Sequence, residues 1–283
     1  MLNEKIFNYA MAVLLCAAAS CSGGSSEEKE ALDMLAQAKE CISTNPQQAI
    51  TLIDSLNKTF PKKTEVRRKA MHVRTLADSV LIDREFTLAD STIKADSVKF
   101  IELKPRFAFV KTKDMVEGYY VVKTLQGKPL FERTGIEPRV DELGNMFVVT
   151  CVFGTPVQHT RLVARSGGTS ISTADVPHDG ATNYRYTAAN GSCEMATFHF
   201  DKCADFCKFV AENNGSKVAI DFVGKSKTSI SLSADLLKAF ADTYEFSQAM
   251  SSGKNAVAKM MYLNKKRDIN RRQMAQTKSD ADE

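Results

Sequence analysis

Two histidines lie in or beside long polar segments where acidic side chains are close in the sequence. His178 stands between Asp175 and Asp179, and His159 precedes them in the same loop-rich stretch. A histidine beside carboxylates can act as a general base or bind a metal ion near neutral pH. The sequence fixes no nucleophile or third ligand nearby, so a solvated loop is the favoured interpretation. A hydrolytic site in the 154–190 loops is the alternative.

A second set of side chains that could do chemistry follows at regular spacing. His199, Cys203 and Cys207 are four residues apart, which would place them on one face of a helix. The spacing fits no standard zinc pattern, and a fourth ligand is not evident. Phe206 and Val210 share the face of the cysteines, so we expect both thiols to be buried as small apolar side chains. We therefore predict no metal site and no cofactor.

Cys21 is the residue to which the sequence assigns the most specific chemistry. A largely apolar run over residues 10–19 precedes it, shorter than the roughly 20 residues that a membrane-spanning helix needs. The segment Ala18-Ala19-Ser20-Cys21 resembles the lipobox of bacterial lipoprotein signal peptides, although that family usually has Leu where Ala18 stands. The resemblance implies cleavage before Cys21 and a diacylglyceryl group on its thiol. The alternative is an ordinary secretory signal cleaved near Ala19 or Ser20.

The residues that follow Cys21 favour the lipoprotein interpretation. Residues 22–26 are Ser-Gly-Gly-Ser-Ser, a composition typical of a flexible tether, and acidic residues come next. Such a leader resembles that of outer-membrane lipoproteins of Gram-negative bacteria, some of which use an acidic stretch for surface export. We predict a signal peptide over 1–20, a flexible tether over 21–28 and a lipid anchor in the outer membrane, with the periplasmic or surface face undecided.

Four Asp-Ser triplets lie between residues 54 and 98. Each resembles the Asp-Ser/Thr-aliphatic motif used for O-glycosylation of exported proteins in some Gram-negative anaerobes. The resemblance implies O-linked glycans on Ser55, Ser79, Ser91 and Ser97. Short motifs also arise by chance, so the alternative is a solvated helix face on which Asp and Ser are ordinary polar residues.

Composition makes several classes of protein less plausible. The net charge of +4 over 283 residues does not indicate a nucleic-acid-binding protein. No second long apolar segment is present, so we expect no membrane-spanning helix. The absence of tryptophan argues against a site that stacks sugar rings. Removing Cys16 and Cys21 from the seven cysteines leaves an odd, widely spaced set, unlike a disulfide framework.

The elements that must position these residues begin with two amphipathic helices over 29–59. Asn45 can cap the second helix, and Pro46 suits its first turn. The pair resembles one tetratricopeptide-like helical hairpin, which cannot make a solenoid alone. Residues 63–103 lack Gly and Pro and predict a long helix or two in succession. We group 29–104 as a helical hairpin and stalk.

After residue 104 the pattern changes to short apolar segments separated by Gly, Asn, Asp and Pro. These predict strands near residues 107–110, 119–122, 146–153, 161–164, 194–200, 218–223 and 229–232. A helical segment over 202–213 interrupts the series, while the surroundings of Pro138 and the polar stretch 166–190 are predicted as loops. The predicted fold class is α+β, with an antiparallel, sandwich-like β-rich domain over 105–250 crossed by one helix.

Two more helices are predicted near the C-terminus. The first opens at Ser233 or Asp235, and the second covers 254–275 and is rich in Lys and Arg. Val257 and its neighbours give the basic helix a partial apolar face, so it could contact anionic lipid, nucleic acid or a partner. A basic run alone more often marks a solvated exterior. We predict a basic helix and disordered tail over 251–283 and no nucleic-acid partner.

Together these features predict a non-enzymatic, lipid-anchored envelope protein that acts as a binding or assembly module. Its partners would be the membrane, through the lipid, and an envelope protein, while a small-molecule or glycan ligand is undetermined. The order of lipobox, polar leader, helical hairpin and β-rich domain resembles uncharacterised lipoproteins of Gram-negative anaerobes. The alternatives are an envelope hydrolase or glycan-processing accessory with a site in the 154–190 loops, and a scaffold whose hairpin grips a partner helix.

Overall fold

The computed structural model describes residues 23–127, 130–188 and 191–282. Within these ranges it has five α-helices and ten strands, which confirms the predicted α+β class. The helices are α1 (Gly23–Cys41), α2 (Pro46–Thr59), α3 (Thr64–Leu103), α4 (Phe200–Glu212) and α5 (Ala234–Asp282). The first five strands are β1 (Phe107–Val110), β2 (Tyr119–Val122), β3 (Gly135–Asp141), β4 (Met146–Phe153) and β5 (Arg161–Ser166). The others are β6 (Thr169–Ser172), β7 (Asn183–Ala188), β8 (Gly191–Phe198), β9 (Ala219–Val223) and β10 (Lys227–Ser231).

The chain divides into two compact units. The first unit comprises residues 1–85 and 264–283, and the second unit comprises residues 86–263. The predicted boundaries after residues 104 and 250 differ from this division. The reason is that the end of α5 packs with the N-terminal helices, a long-range contact that sequence periodicity does not reveal.

The described part of the first unit is entirely helical. The Asn45 side chain accepts a hydrogen bond from the Gln48 backbone N–H at 3.2 Å, and Pro46 opens α2, as predicted. The Asn270 amide on α5 donates to the Thr75 carbonyl oxygen at 3.0 Å. The apolar faces of α1, α2 and α3 form a buried cluster of Ala31, Leu35, Ala38, Ile53, Leu56, Phe60, Val66, Ala70 and Val73. The α1–α2 hairpin is present, but its structure does not identify it as a tetratricopeptide repeat.

Both ends of the described chain are more helical than predicted. α1 begins at Gly23, so residues 23–28 of the predicted flexible tether are helical. Glu and Lys over 27–30 are good helix formers and extend α1 ahead of its first apolar residue. α5 is one continuous 49-residue helix that reaches Asp282, where two helices and a disordered tail were predicted.

The second unit is built on two antiparallel sheets. The strand order is β1-β2-β3-β4-β8-β7 in the six-stranded sheet and β10-β9-β5-β6 in the four-stranded sheet. Val148 and Phe198 from the first sheet, Leu162 and Ile220 from the second, and Phe206 from α4 belong to one buried core. The predicted sandwich-like arrangement with one crossing helix is therefore observed.

Three strands lie where loops were predicted, and each has a physical reason. β3 contains Pro138, which lacks an N–H to donate, but the pairing with β2 involves only the end of β3 at Val140 and Asp141. β6 and β7 fall within the predicted 166–190 loop. Both are edge strands, which have one neighbour and tolerate polar residues, so they lack the alternating apolar signal.

Candidate functional site

His159 lies in the core of the second unit, where its side chain is fully buried. Its Nδ1 atom is 3.1 Å from Oε2 of Glu194, and its Nε2 atom is 2.9 Å from Oγ1 of Thr150. Glu194 also accepts backbone N–H groups from Gln158 at 2.7 Å and from His159 at 3.2 Å. The connectivity is that of a hydroxyl–imidazole–carboxylate relay. Because all three side chains are buried, the relay offers no access to a substrate.

The buried pair has a defined protonation state. Burial lowers the pKa of His159 and outweighs the hydrogen bond to Glu194, which would raise it. Burial alone would raise the pKa of Glu194, but hydrogen bonds from His159 and from the backbone N–H groups lower it. The imidazole is therefore neutral and donates its Nδ1–H to an ionised carboxylate, while the Thr150 hydroxyl lies within hydrogen-bonding distance of both Nε2 and the Ala196 carbonyl oxygen. This arrangement is a buried structural link between β4, β8 and the segment that precedes β5.

The second histidine of the hydrolytic alternative is in a different environment. His178 is exposed, and its neighbour Asp179 accepts hydrogen bonds from the backbone N–H groups of Ala181 and Thr182 at 2.9 and 2.8 Å. The Thr182 hydroxyl, and after it the backbone N–H groups of Asn183, Ala181 and Thr182, hold the pKa of Asp179 well below its usual range. Asp179 thus organises a turn. Since His159 is buried and His178 is exposed, they do not line a common accessible cleft.

The three residues of the alternative His-Cys-Cys cluster also lie in different environments. Cys203 and Cys207 are buried on α4, as predicted, and the Cys203 thiol donates to the Phe198 carbonyl oxygen at 3.1 Å. His199 is exposed beside the helix start and its ring stacks on Phe147 with centroids 6.0 Å apart. Among the described residues, no group of three or more His, Cys, Asp or Glu side chains could hold a metal ion.

The predicted modification residues have different positions. Cys21 lies outside the described residues. Ser55 is on α2, and Ser79, Ser91 and Ser97 are on α3. The side chains of Ser55, Ser91 and Ser97 are exposed, whereas Ser79 is half-buried. Ser91 donates its hydroxyl to the Leu88 carbonyl oxygen at 2.8 Å, which occupies its proton but leaves the oxygen at the surface.

An apolar groove of about 810 Å³ lies between α3 and α5 in the second unit, beside the β1–β2 hairpin. This volume falls within the roughly 300–1,000 Å³ typical of ligand-binding sites. Its walls are mainly aliphatic and aromatic, with contributions from Ile93, Phe100, Ile101, Phe109, Tyr120, Met250 and Val257. The groove is the candidate binding site of the molecule.

The floor of the groove rests on an aromatic cluster. Phe246 on α5 is fully buried and stacks on Phe100 and Phe107 with ring centroids 5.3 and 4.3 Å apart. Tyr120 meets the edge of the same ring at 5.3 Å and tilts against Phe109 at 4.9 Å. Stacked and edge-on rings of this kind hold one another rigidly. The groove is therefore preformed.

One rim of the groove is a fixed charged pair. Oε1 of Glu142 accepts hydrogen bonds from the Lys111 ammonium at 2.9 Å and from the Gly118 backbone N–H at 2.8 Å, and these contacts lower the pKa of Glu142. The Lys254 ammonium donates to the Glu142 carbonyl oxygen. The β3–β4 turn that carries Glu142 sits close on α5, because Gly144 has a φ of +98° and leaves room for the Ser251 backbone.

Asp96 is an acidic residue in the lining of the groove. It lines the groove from α3, and its buried Oδ2 atom accepts no hydrogen bond. A Cβ atom at Gly253 would be 3.6 Å from the Cβ of Asp96, so the two helices approach closely at this point. A buried carboxylate oxygen without a hydrogen-bond partner is costly.

The sequence analysis did not identify the groove residues as parts of one site. Ile101 and Val257 were assigned to apolar helix stripes, and Asp96 was considered only as part of a glycosylation motif. The predicted basic helix began at residue 254, after Ser251, Ser252 and Gly253. Gly253 in the middle of α5 was the available signal, since a mid-helix glycine often marks a close approach.

Comparison with known proteins gives no assignment. No protein-family model, curated protein or solved structure matches the chain. In the described ranges, no helix combines the length and apolarity needed to cross a membrane. Functional inference therefore depends on the residues themselves.

Proposed function

We propose that the protein is a lipid-anchored envelope binding module whose groove receives an amphipathic helix of a partner protein. The observation that carries the proposal is the preformed apolar groove between α3 and α5, whose lining includes the acidic residue Asp96. The buried state of His159 favours binding over the hydrolytic alternative, which required an accessible histidine.

A helical occupant fits the distribution of exposed apolar side chains. Val98 and Ile101 on α3 are 66% and 71% exposed, and Val257 and Met261 on α5 are 45% and 64% exposed. The groove lining itself runs from Ile93 to Ile101 on α3 and from Ala249 to Val257 on α5, which is about two turns or roughly 12 Å at 1.5 Å per residue. An amphipathic helix laid between them would bury this surface. A Lys or Arg on its apolar border would pair with Asp96.

Site-specific photocrosslinking in the native envelope tests the groove. A benzophenone amino acid at Ile101 should crosslink to an amphipathic helix of another envelope protein, identified by peptide mapping. The same amino acid at Leu143, which is also exposed but outside the groove, is the matched control. Equal adducts from both positions, or adducts only with lipid or a second copy of this chain, would contradict the proposal.

The charge of the partner is tested in the same assay. Asp96→Asn should reduce the Ile101 crosslink roughly tenfold, the value of one charge-assisted hydrogen bond of about 1.5–3 kcal/mol. Asp96 also belongs to a glycosylation triplet, so Ser97→Ala is the control that removes the hydroxyl and keeps the carboxylate. An equal loss in both variants would assign the effect to Ser97 instead.

The anchor is tested by labelling cells with radioactive palmitate. The wild-type chain should carry the label, and Cys21→Ser should lose it because no other thiol lies at the predicted cleavage site. Cys16→Ser is the matched control and should keep the label. Label retained by Cys21→Ser, or absent from the wild type, would favour an ordinary secretory signal.

A further inference from the structure

Two cysteines face each other on neighbouring strands of the six-stranded sheet. Cys151 on β4 pairs in register with Met195 on β8, and Cys193 lies two residues before Met195. Residues two apart on a strand point to the same face, so both thiols lie on one face of the sheet as diagonal neighbours. Their sulfur atoms are only 2.9 Å apart.

The surroundings hold the two sulfur atoms together. Cys151 and Cys193 are 0% and 1% exposed and form a small buried cluster with Leu130 and Val149. This cluster is separate from the main core between the sheets. Tyr186 on β7 pairs in register with Cys193, and its interaction with the Cys193 thiol raises the pKa of Tyr186 to about 12.

We propose that Cys151 and Cys193 form a disulfide in the mature protein, covalently joining β4 to β8. The short contact on the same face of adjacent strands carries the proposal. An odd number of cysteines had argued against a disulfide framework, but an odd set can still contain one pair. The inference is independent of the proposed partner-binding function.

The reaction needs a disulfide oxidant, such as oxidised glutathione or an envelope thiol–disulfide oxidoreductase. One protein thiolate attacks the oxidant and forms a mixed disulfide, releasing one reduced thiol. The second cysteine loses its proton, attacks the mixed disulfide and releases the second reduced thiol. Two protein thiols are thereby oxidised to one S–S bond while one oxidant disulfide is reduced to two thiols.

The burial of the pair dictates when the bond forms. In the folded state, burial raises the pKa of the Cys151 thiol, and its hydrogen bond with Cys193 raises this pKa further. Little thiolate is therefore available to attack an oxidant. We therefore expect oxidation during folding, before the face of β4 and β8 is covered. Once formed, the buried bond should resist reduction until the protein unfolds.

Cys203 and Cys207 provide an internal control. These thiols are also buried, and their sulfur atoms are 3.6 Å apart, but they are four residues apart on one helix. Closing a ring there would distort α4, because a disulfide needs a specific geometry between its two Cβ atoms. We expect this pair to remain reduced under the conditions that oxidise Cys151 and Cys193.

The test is refolding of the full chain from denaturant in a glutathione redox buffer. The product is denatured, alkylated and digested with trypsin, which gives peptides 140–161 and 186–202 with one target cysteine each. We expect these peptides to be joined, while peptide 203–208 carries two alkyl groups. Recovery of Cys151 and Cys193 both alkylated would overturn the proposal, as would an internal disulfide in peptide 203–208 in place of the joined pair.

Two further measurements keep the proposal testable if a variant folds poorly. The folded, reduced protein should oxidise at least tenfold more slowly than the refolding chain, as expected for buried thiols of raised pKa. The oxidised protein should have a Tm higher than the reduced protein by roughly 6–12 °C. Cys193→Ser should show no such difference, and an equal Tm for the oxidised and reduced wild type would contradict a bond that joins the folded strands.

Discussion

Replacement of His159 with alanine should lower the free energy of unfolding of the second unit by about 3–5 kcal/mol, because the buried, charged Glu194 carboxylate loses its imidazole hydrogen-bond donor. The substitution removes the ring that hydrogen-bonds to Glu194 and Thr150 and packs edge-on against Phe222 at 5.7 Å. Glu194 would remain buried with a negative charge and only its backbone N–H donors and the more distant Arg185. A cavity the size of an imidazole would add to the penalty.

Two controls separate the loss of the His159–Glu194 hydrogen bond from general effects of substitution. Thr150→Val removes only the hydroxyl that contacts His159 and should cost about 1–2 kcal/mol. His178→Ala changes an exposed histidine and should stay within about 0.5 kcal/mol of the wild type. Urea unfolding followed by circular dichroism provides the measurement, since the chain lacks tryptophan. A His159→Ala effect no larger than that of His178→Ala would show that the buried network is not a structural link.

The His159–Glu194 pair makes the free energy of unfolding depend on pH, and the directions of the two pKa shifts determine the sign of that dependence. The folded pKa of His159 lies below its ordinary value of 6.5, so the unfolded chain binds the proton first as the pH falls. The stabilisation from a neutral His159 is complete above that value and declines below it. Glu194, whose folded pKa lies below 4.5, loses its contribution at still lower pH. His159→Gln should therefore flatten the fall in stability between pH 7 and pH 5 relative to the wild type.

The parts of the fold that were predictable are those that local sequence controls. Asn45 and Pro46 specify the start of α2 because a side-chain acceptor and a fixed φ act within one turn. The burial of Cys203 and Cys207 followed from their shared spacing with Phe206 on α4. Such features need no knowledge of distant partners.

The parts that were missed depend on contacts between distant segments. β3 accommodates Pro138 because the neighbouring β2 pairs with only the end of the strand. α5 continues through Gly253, which lies opposite Asp96 on α3. The buried Glu194 partner of His159 is 35 residues away in the sequence. Periodicity and local propensity contain no information on any of these pairings.

The candidate groove illustrates the same limit at the level of function. Its walls come from two helices and a hairpin, and the residues that give it chemical character are Asp96, Lys111, Glu142 and Lys254. Apart from Asp96, which begins one of the Asp-Ser triplets, none of them stands in a recognisable motif. Each is polar and ordinary in its own segment, and only the packing of α3, β1–β2 and α5 gives these residues a common surface.

Phe246→Ala should lower the free energy of unfolding by a similarly large amount, because it removes a buried ring from beneath the groove. Phe246 is 0% exposed and contacts the rings of Phe100, Phe107 and Tyr120. Truncating a fully buried Phe costs about 3–5 kcal/mol through lost burial and the cavity left behind. The loss of three aromatic pairs places the expected value toward the upper end of that range. Urea unfolding measures this change.

Two comparison variants distinguish loss of the groove from loss of stability. Phe206→Ala removes an equally buried ring from the main core between the sheets and should destabilise by a similar amount. At a temperature where both variants remain folded, only Phe246→Ala should reduce photocrosslinking from Ile101. The reason is that Phe100 and Tyr120 line the groove and rest directly on Phe246, whereas Phe206 belongs to a different cluster. Equal crosslinking in the two variants would show that the aromatic floor does not shape the binding surface.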